Sequence, residues 1–352
     1  MPSPPGRDMK ILLHIGRAKT GTTSIQRTLR ENPKVLEANG IFYPSWKGLP
    51  IHSTLRQPFR SRSIQNQPKG VDDARKHWDR IAKQVAKRKP ELLVISHEHF
   101  MGIDRHSEFR DHIDRLFPGA TVRTLCYLRD PVSGYRSFAQ QSFKTRGRCK
   151  HPNSFAVHGK LAQWQDAFGS LVIRPFLRDT LVDGDVVADF VHHGLEDRVT
   201  LSDLDVKTAN VSESLEGEIV GNRYRKLLGL SANEASSTNP EVVKFRRVRA
   251  MMERDQGDAL PTSKPRLRPD VHNLVLQTLA DDIAAVEESF GIAFDPALLA
   301  PIPGVEAASL DRVIDDPTEI FEYSEQKLTD YTLSMIHLLL KDAKPRGITS
   351  SG

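Results

Sequence analysis

The sequence predicts a three-layer α/β/α fold, in which helices cover both faces of a central parallel sheet and a helical C-terminal half follows. The first observation is a set of short apolar runs typical of buried parallel strands, over residues 11–15, 91–96 and 121–128. The second is that amphipathic segments separate these runs, which implies the right-handed crossovers of a doubly wound sheet. The third is that the pattern beyond Asp185 is helical.

The remaining elements follow from local patterns. A helix is expected over residues 22–30, with Ile25 and Leu29 turned toward the sheet. Residues 44–70 are rich in Pro, Ser, Gln and Arg and show little periodicity, so a long loop is expected there, either a functional lid or disordered. The other expected elements are strands over 40–43 and 171–176 and helices over 71–89, 106–117, 213–228, 240–252, 269–290 and 324–341.

Length and composition favour one large domain over two modest ones. The chain has 352 residues, of which 38% are hydrophobic, so it can bury a substantial core. We expect a disordered tail over residues 1–8 and a single domain over 9–345, with a core over 9–195 and a helical remainder over 196–345. The net charge of +5 is mild for this length, so a general nucleic-acid coat is excluded and no nucleic-acid partner is expected.

Cysteine usage and hydropathy predict a soluble protein of a reducing compartment, the cytoplasm. The two cysteines fall in a predicted buried strand (Cys126) and a polar loop (Cys149), so no disulfide framework is expected. No apolar run approaches the ~20 residues needed to span a bilayer, and residues 1–8 lack the apolar stretch of a secretory leader. No membrane span is therefore expected.

Residues 16–23 read Gly-Arg-Ala-Lys-Thr-Gly-Thr-Thr and directly follow the first predicted strand. A glycine-containing turn between a buried strand and a helix turns several backbone N–H groups and the positive end of the helix dipole toward one point. The pattern predicts an anion-binding turn, although an ordinary strand-to-helix connection can have a similar composition. Lys19, Thr20, Thr22 and Thr23 favour a phosphate-bearing ligand.

The spacing of this turn departs from that of the nucleotide-triphosphate loop, which has Gly, four residues and then Gly-Lys-Ser/Thr. Here Gly21 is followed by Thr22, and Lys19 comes two residues before the glycine. ATP and GTP are therefore disfavoured, and the fold is expected to be P-loop-like without a triphosphate-type loop. A lysine on the turn itself can reach the bridging oxygen of a bound anhydride.

A second motif follows the strand predicted over residues 121–128. Arg129 stands at the carboxyl end of that strand, where open α/β sheets bind their ligands, and its donor fork suits a phosphate dianion. Pro131 suits the first turn of the next helix, Asp130 suits its cap, and Ser137 comes eight residues after Arg129. The alternative is a surface ion pair at a helix start with a solvent-facing serine.

Together the two motifs resemble those of sulfotransferases that use 3′-phosphoadenosine 5′-phosphosulfate, and the chain is most similar to the soluble bacterial members. In that family the first loop usually reads Pro-Lys-Ser/Thr-Gly-Thr-Thr; here Ala18 replaces the proline, which indicates a less rigid loop. The resemblance is strongest over residues 11–194 and includes segments 176–190 and 210–214. The last fifty residues carry no resemblance.

The resemblance implies that a sulfuryl group moves from this donor to a hydroxyl or amine of a carbohydrate or small-molecule acceptor, by in-line displacement without a metal. Lys19 would neutralise charge on the bridging oxygen, and Arg129 and Ser137 would hold the 3′-phosphate. A basic loop late in the chain, Lys264, Arg266 and Arg268, would close over the donor, unless it is an ordinary solvated linker. The donor-binding residues implied in the first loop are Ala18, Lys19, Thr20, Gly21, Thr22 and Thr23, and the N–H groups of residues 20–23 would hold the 5′-phosphate.

A hydroxyl acceptor needs a general base, because its pKa is far above neutrality. The strand over residues 91–96 ends in His97-Glu98-His99, and in the family a His or Glu at this strand end often serves as base. Glu98 is the first candidate, His97 the second and His52 the third; alternation along a strand allows only one of the adjacent pair to enter the site. The alternative is that Glu98 caps a turn or pairs with an arginine. The spacing of His97 and His99 does not favour zinc.

Two other functions stay open at the level of the sequence. One is a nucleotide-dependent kinase, disfavoured by the order of the first loop and by the lack of a clear acidic magnesium ligand after a strand. The other is a catalytically inactive relative that binds an anionic nucleotide or glycan. Acceptor identity and oligomeric state are left open.

Overall fold

The computed structural model describes residues 9–46, 51–206, 214–230, 239–260 and 262–342. The chain forms two compact units. The first comprises Met1–Asp130, Ala156–Asn210 and Ala280–Leu299, and the second comprises Pro131–Phe155, Val211–Leu279 and Ala300–Gly352. The single domain expected over 9–345 stays a prediction. The tail expected over 1–8 lies outside the described residues.

The strands form one central sheet and one small ribbon. The central sheet is parallel throughout and has the order β2-β3-β1-β4-β6, and the ribbon pairs β5 with β7 antiparallel. In chain order the strands are Lys10–His14 (β1), Ile41–Phe42 (β2), Leu92–Ser96 (β3), Thr121–Leu128 (β4), Cys149–Lys150 (β5), Leu171–Pro175 (β6) and Val313–Ile314 (β7).

Thirteen α-helices are present in the described residues. Their bounds are Thr22–Glu31 (α1), Pro33–Ala38 (α2), Ile51–Thr54 (α3), Ser61–Asn66 (α4), Pro68–Arg88 (α5), His106–Leu116 (α6), Pro131–Arg146 (α7), His158–Phe168 (α8), Val186–His193 (α9), Leu215–Leu227 (α10), Pro240–Gln256 (α11), Pro269–Phe290 (α12) and Glu325–Asp342 (α13).

The two faces of the central sheet bury separate apolar clusters. Ile11 and Leu13 of β1 point into a cluster with Trp78 of α5, Phe109 of α6 and Trp164 of α8. Alternate residues of the same strands point the other way: the second cluster contains Leu12 of β1, Ile25 and Leu29 of α1, and Val187 and Phe190 of α9. Because successive side chains of a strand face opposite sides, helices cover both faces. The predicted three-layer α/β/α fold with a central parallel sheet is confirmed.

The register of the sheet sets the position of the loops that follow its strands. His14, the last residue of β1, lies opposite Ser96 of β3 on one side and Leu125 of β4 on the other. The loops after β1, β3 and β4 therefore leave the same edge of the sheet from three neighbouring strands. This is the edge at which open parallel sheets bind ligands.

The long loop expected over residues 44–70 was a wrong prediction. The described part of this segment contains α3, a 3₁₀ turn over Gln57–Phe59, α4 and the start of α5. Leu55 and Phe59 are buried in the core, and the indole N–H of Trp78 donates to the carbonyl of Leu55 at 2.9 Å. Each of these short elements buries only one or two residues. The sequence therefore shows no helical periodicity of apolar residues here.

Helix α8 was not predicted either. Its buried residues Leu161, Trp164 and Phe168 do follow helical spacing, at i, i+3 and i+7. The carboxylate of Asp282 caps its start by accepting the N–H groups of Val157 and His158. This cap lies more than a hundred residues away in the sequence, so local pattern reading could not supply it.

The second unit is mainly helical, as expected for the C-terminal half. The carbonyl groups at the end of α7 accept side-chain donors from elsewhere in this unit: Arg225 donates to Phe143 O at 2.7 Å, and Asn222 donates to Gly147 O at 2.7 Å. Cationic donors suit a helix C-terminus. In the described ranges, no helix combines the length and apolar character that crossing a bilayer requires.

Candidate functional site

The turn after β1 contains three residues with left-handed backbone. Gly16 has φ 32°, Lys19 has φ 72° and Gly21 has φ 77°. A lysine in this region is strained by about 1–2 kcal/mol, and such strain is concentrated at functional sites. Alternation of right- and left-handed residues turns neighbouring N–H groups to the same side and makes a concave anion site. The Thr20 hydroxyl donates to Arg17 O at 2.6 Å and closes the turn.

The start of α1 adjoins this turn and is open. Gly21 is its N-cap, no side chain in the described chain caps it, and its first turn holds no acidic residue. The first backbone bonds run from the N–H groups of Ser24 and Ile25 to Gly21 O, at 2.9 and 3.1 Å. The N–H groups that precede them, including those of Thr22 and Thr23, have no intrahelical partner. The positive end of the helix can therefore bind an anion.

Two buried polar atoms beside this turn have no hydrogen-bond partner among the described residues. They are Thr22 Oγ1 and His14 Nε2. A Cβ built on Gly16 would lie 3.0 Å from the first and 3.2 Å from the second, so both atoms border the same small space. His14 is neutral, because burial lowers its pKa to about 3, and its Nδ1 lies 2.8 Å from Ser96 Oγ. A hydroxyl and an imidazole nitrogen fit a ligand oxygen at this position.

Arg17, to which sequence reasoning gave no role, adds a positive charge to the turn. Burial lowers the pKa of Arg17 to about 10, and the nearby Cys126 thiol and Asp282 carboxylate act in the opposite direction. The group keeps its proton at neutral pH. The turn therefore carries two cationic side chains, Arg17 and Lys19, on one short segment.

The loop after β3 brings Glu98 within electrostatic reach of Lys19. Glu98 opens a 3₁₀ turn over Glu98–Gly102 and is half-buried. Burial raises its pKa, and the positive charge of Lys19 partly offsets that rise. The structure thus brings together two of the residues singled out from separate parts of the sequence, one cationic and one a carboxyl that binds its proton more tightly than usual.

His97 faces a different set of neighbours. Its Nδ1 accepts the N–H of His99 at 3.1 Å, so the proton of the neutral ring is on Nε2. Burial, together with the nearby His99, Arg56, His52 and His14, lowers its pKa to about 3. Lys19 is not among these causes, whereas it is the charge that acts on Glu98. The two adjacent side chains therefore sit in different environments.

Both ring nitrogens of His52, the third candidate base, are hydrogen-bonded to the backbone. Its Nε2 donates to Pro44 O at 2.6 Å, and its Nδ1 accepts the N–H of Ser96 at 3.1 Å. It is buried, and its ring stacks on Tyr43 with centroids 4.5 Å apart. These contacts join the segment that contains α3 to the end of β3. The role of His52 is therefore structural.

Arg129 directly follows β4 and is half-buried. Its guanidinium lies over the ring of Phe176, 4.7 Å from the centroid, and the N–H of Phe176 donates to Leu128 O at 2.7 Å. Since His14 lies opposite Leu125, Arg129 is four residues further along the sheet, about 13 Å at ~3.3 Å per residue. Lys19 and Arg129 therefore follow neighbouring strands at the same edge of the sheet.

The other residues expected to contact the donor belong to the second unit. Ser137 lies on α7 and is half-buried. Lys264 and Arg266 are exposed, and Arg266 O accepts the N–H of Glu322 at 3.0 Å. Arg268 pairs with Asp270 at 2.7 Å. Their roles in donor binding stay predictions.

A buried charge network in the first unit holds the segment between β6 and α9. The fully buried Asp189 accepts hydrogen bonds from Arg174 at 2.7 Å, from the Tyr127 hydroxyl at 2.9 Å and from the Val182 N–H at 3.1 Å. Burial acts to raise the pKa of Asp189, but these bonds outweigh it and the pKa is lowered. Sequence reasoning missed this network, because its members lie on β4, on β6, on α9 and in the turn before α9.

No model of a known protein family matches the chain. A search of the curated proteins finds no match either. Within the part of the chain that the structure describes, no three His, Cys, Asp or Glu side chains are grouped so as to hold a metal ion. A fold alone does not define a function, so the function must be inferred from the chemistry of the site.

Proposed function

We propose that this protein is a sulfotransferase, which moves a sulfuryl group from 3′-phosphoadenosine 5′-phosphosulfate to a hydroxyl or amine of a carbohydrate or small-molecule acceptor. One observation carries the proposal: Lys19 has a strained left-handed backbone in the turn before an uncapped helix start, and its charge acts on the half-buried Glu98. An anion site, a cation and a carboxyl with a raised pKa meet at one edge of the sheet. Both cysteines are buried thiols, and we propose the reducing cytoplasm as the location.

Donor binding is supported by the chemistry of the turn. Backbone N–H groups at the start of α1 and the Thr22 hydroxyl can bind the oxygens of the 5′-phosphate. Arg129, which directly follows the neighbouring strand β4, offers its donor fork to the 3′-phosphate. A nucleotide with phosphates at both ends of its ribose suits two separated cationic positions better than a triphosphate chain does.

The transfer itself needs charge stabilisation more than a covalent step from the protein. As the acceptor oxygen bonds to sulfur, the bond from sulfur to the bridging phosphate oxygen breaks and negative charge develops on that oxygen. The ammonium of Lys19 is suited to neutralise this charge, and preorganised groups of this kind typically contribute 10²–10³ in rate. The acceptor proton must leave at the same stage.

Glu98 is the better of the two adjacent candidates for accepting that proton. Burial raises its pKa, which makes its carboxylate a stronger base than an exposed glutamate. His97 uses Nδ1 to accept a backbone N–H, and its pKa near 3 makes it a weak base. These facts support Glu98 as base and His97 as a neutral hydrogen-bond donor.

Donor recognition is tested by thermal unfolding of the full chain with adenosine 3′,5′-bisphosphate, 5′-AMP or ATP. A ligand that binds only the folded state stabilises it by about 2.7 kcal/mol at a hundredfold excess over Kd. We expect a clear rise in Tm with the bisphosphate and a much smaller one with 5′-AMP. Equal stabilisation by ATP would favour a kinase and contradict the proposal.

Activity is tested separately, by following transfer of labelled sulfate from the donor to a panel of sugars. Transfer to at least one acceptor, lost in Glu98→Gln, is the expected result. Tight bisphosphate binding without transfer to any acceptor would instead support the inactive relative.

A further inference from the structure

The backbone around Arg56 is anchored by two buried residues, Leu55 and Phe59. Leu55 is fully buried and its carbonyl accepts the indole N–H of Trp78 at 2.9 Å. Arg56 O accepts the N–H of Phe59 at 3.0 Å, and Phe59 is also buried. The backbone at residue 56 is thus fixed on both sides, and the side chain starts from a defined position rather than from a mobile surface loop.

The guanidinium of Arg56 is half-buried and has no counter-ion among the described residues. Its Nε is buried and has no hydrogen-bond partner, and the side chain makes no ion pair within the described residues. Burial, together with the nearby charge of Arg60, lowers its pKa to about 10. A partly desolvated cation that lacks a negative partner is costly to keep in a folded protein. An anionic ligand would remove that cost.

The contacts of His52 bring this segment to the edge of the sheet where the candidate site lies. His52 precedes Arg56 by four residues and accepts the N–H of Ser96, the last residue of β3. His97 follows Ser96, and the charge of Arg56 is one of those that lower the pKa of His97. Arg56 therefore lies within electrostatic reach of the residue that immediately precedes Glu98.

The groups around His97 are basic. The ring of His97 keeps its proton on Nε2, which can donate a hydrogen bond. The charged or chargeable neighbours that act on it are His99, Arg56, His52 and His14, all of them basic. Because consecutive Cα atoms are about 3.8 Å apart, His97 lies within the width of one sugar unit from Glu98.

We infer that Arg56 and His97 form a subsite for an anionic group of the acceptor, a carboxylate or a sulfate ester, while the reacting hydroxyl of the same acceptor meets Glu98. The inference rests on the proposed function for the identity of the reacting group. It narrows the acceptor class to acidic molecules, such as glycans that contain uronate or are already sulfated. The guanidinium fork binds such a group through two parallel hydrogen bonds.

The test measures binding of glucuronate to the full chain by titration calorimetry, with adenosine 3′,5′-bisphosphate kept saturating so that the donor position is filled. The methyl ester of glucuronate, which is neutral and nearly the same size, is the matched probe. We expect wild type to bind glucuronate at least tenfold more tightly than the ester. We expect Arg56→Gln to lose that difference and Arg56→Lys, which keeps the charge but not the fork, to retain part of it.

Arg60→Gln is the control for charge, because it removes the same charge four residues away and should keep the preference for glucuronate within threefold. Circular dichroism of Arg56→Gln checks that it folds. Equal binding of acid and ester by wild type, or an unchanged preference in Arg56→Gln, would overturn the subsite.

Failure of the bisphosphate to bind would count against the sulfotransferase proposal alone. The titration is then run without nucleotide on wild type and on Arg56→Gln. Loss of glucuronate binding in Arg56→Gln would still support the subsite, and unchanged binding would refute it.

Discussion

Gly21 lies so close to Val186 that a Cβ on residue 21 would stand 2.5 Å from Val186 Cγ1. Real Cβ atoms do not approach other atoms so closely, so only glycine fits. The contact seats the turn after β1 against the first residue of α9, while the N-cap Asp185 fixes that helix by accepting the N–H groups of Val187 and Ala188. The shape of the proposed phosphate cradle therefore depends on a helix that starts more than 160 residues later.

Replacing Gly21 by alanine tests this contact. Gly169→Ala is the matched control, because Gly169 has a similar φ of 67° and nothing within 4 Å of a built Cβ. We expect Gly169→Ala to lower the free energy of unfolding by about 1–2 kcal/mol, the cost of a left-handed alanine. Gly21→Ala should cost clearly more and should also abolish the Tm rise with adenosine 3′,5′-bisphosphate. The free energy of unfolding is measured with urea. Equal losses in Gly21→Ala and Gly169→Ala would show that the Val186 side chain can move away from the new Cβ without an energetic penalty.

Removing the charge of Lys19 should slow transfer more than it weakens donor binding. Lys19→Asn is the suitable change, because asparagine tolerates left-handed backbone. We expect turnover to fall by about 10²–10³ and the Kd of adenosine 3′,5′-bisphosphate to change by less than fivefold. Lys89→Asn, at another exposed lysine with positive φ (51°), is the control and should keep full activity. Unchanged turnover in Lys19→Asn would remove Lys19 from the mechanism.

Asp189 should be the most sensitive carboxylate of the first unit. Asp189→Asn leaves Arg174 without its buried partner, and we expect a loss of about 3 kcal/mol in the free energy of unfolding. Asp72→Asn removes one member of an exposed pair with Arg75 and should cost less than ~1 kcal/mol. Because the pKa of Asp189 is lowered by folding, its contribution is present above its unfolded pKa and is lost as pH falls through the folded pKa.

This pH dependence is measured by urea unfolding of wild type and Asp189→Asn between pH 7 and pH 3. The difference between the two proteins should shrink toward the acid end. A constant difference over the whole range would mean that the ion pair with Arg174 adds no stability.

Much of the sheet could be predicted because its strands are buried on both faces. Strand β4 was predicted with its observed bounds, and so was α12, since apolar runs and helical periods are visible locally. The turn between β1 and α1 was also predicted, because its glycine and hydroxyl residues directly follow the apolar run of β1, and its role as an anion site stays a prediction. His14 could have been noticed as a single polar residue inside an apolar strand.

The parts that escaped prediction depend on contacts between distant segments. Arg56 belongs to no sequence motif. Its half-buried guanidinium, which lacks a partner among the described residues, is visible only in the folded structure. His52 was read as a possible base, yet both its nitrogens are engaged with Pro44 and Ser96. A residue type alone cannot tell a reactive imidazole from an anchoring one.

Glu98→Gln should stabilise the protein at neutral and alkaline pH while it removes activity. Burial raises the folded-state pKa of Glu98, so above that pKa the fold holds a charge that the unfolded chain solvates better. The resulting penalty shrinks as pH falls below the folded pKa and is gone below the unfolded pKa. We therefore expect Glu98→Gln to gain roughly 0.5–2 kcal/mol at pH 8, to match wild type at pH 4, and to lose at least ~100-fold in sulfate transfer.

The measurement is thermal unfolding at both pH values, combined with the transfer assay. Glu288→Gln, an exposed change of the same type on α12, controls for the loss of one negative charge and should leave both Tm and transfer unchanged. A Glu98→Gln variant that is less stable than wild type at pH 8 would contradict this prediction. It would show that favourable hydrogen bonds stabilise the carboxylate in the folded state. Glu98 would then be better explained as a structural residue of the turn.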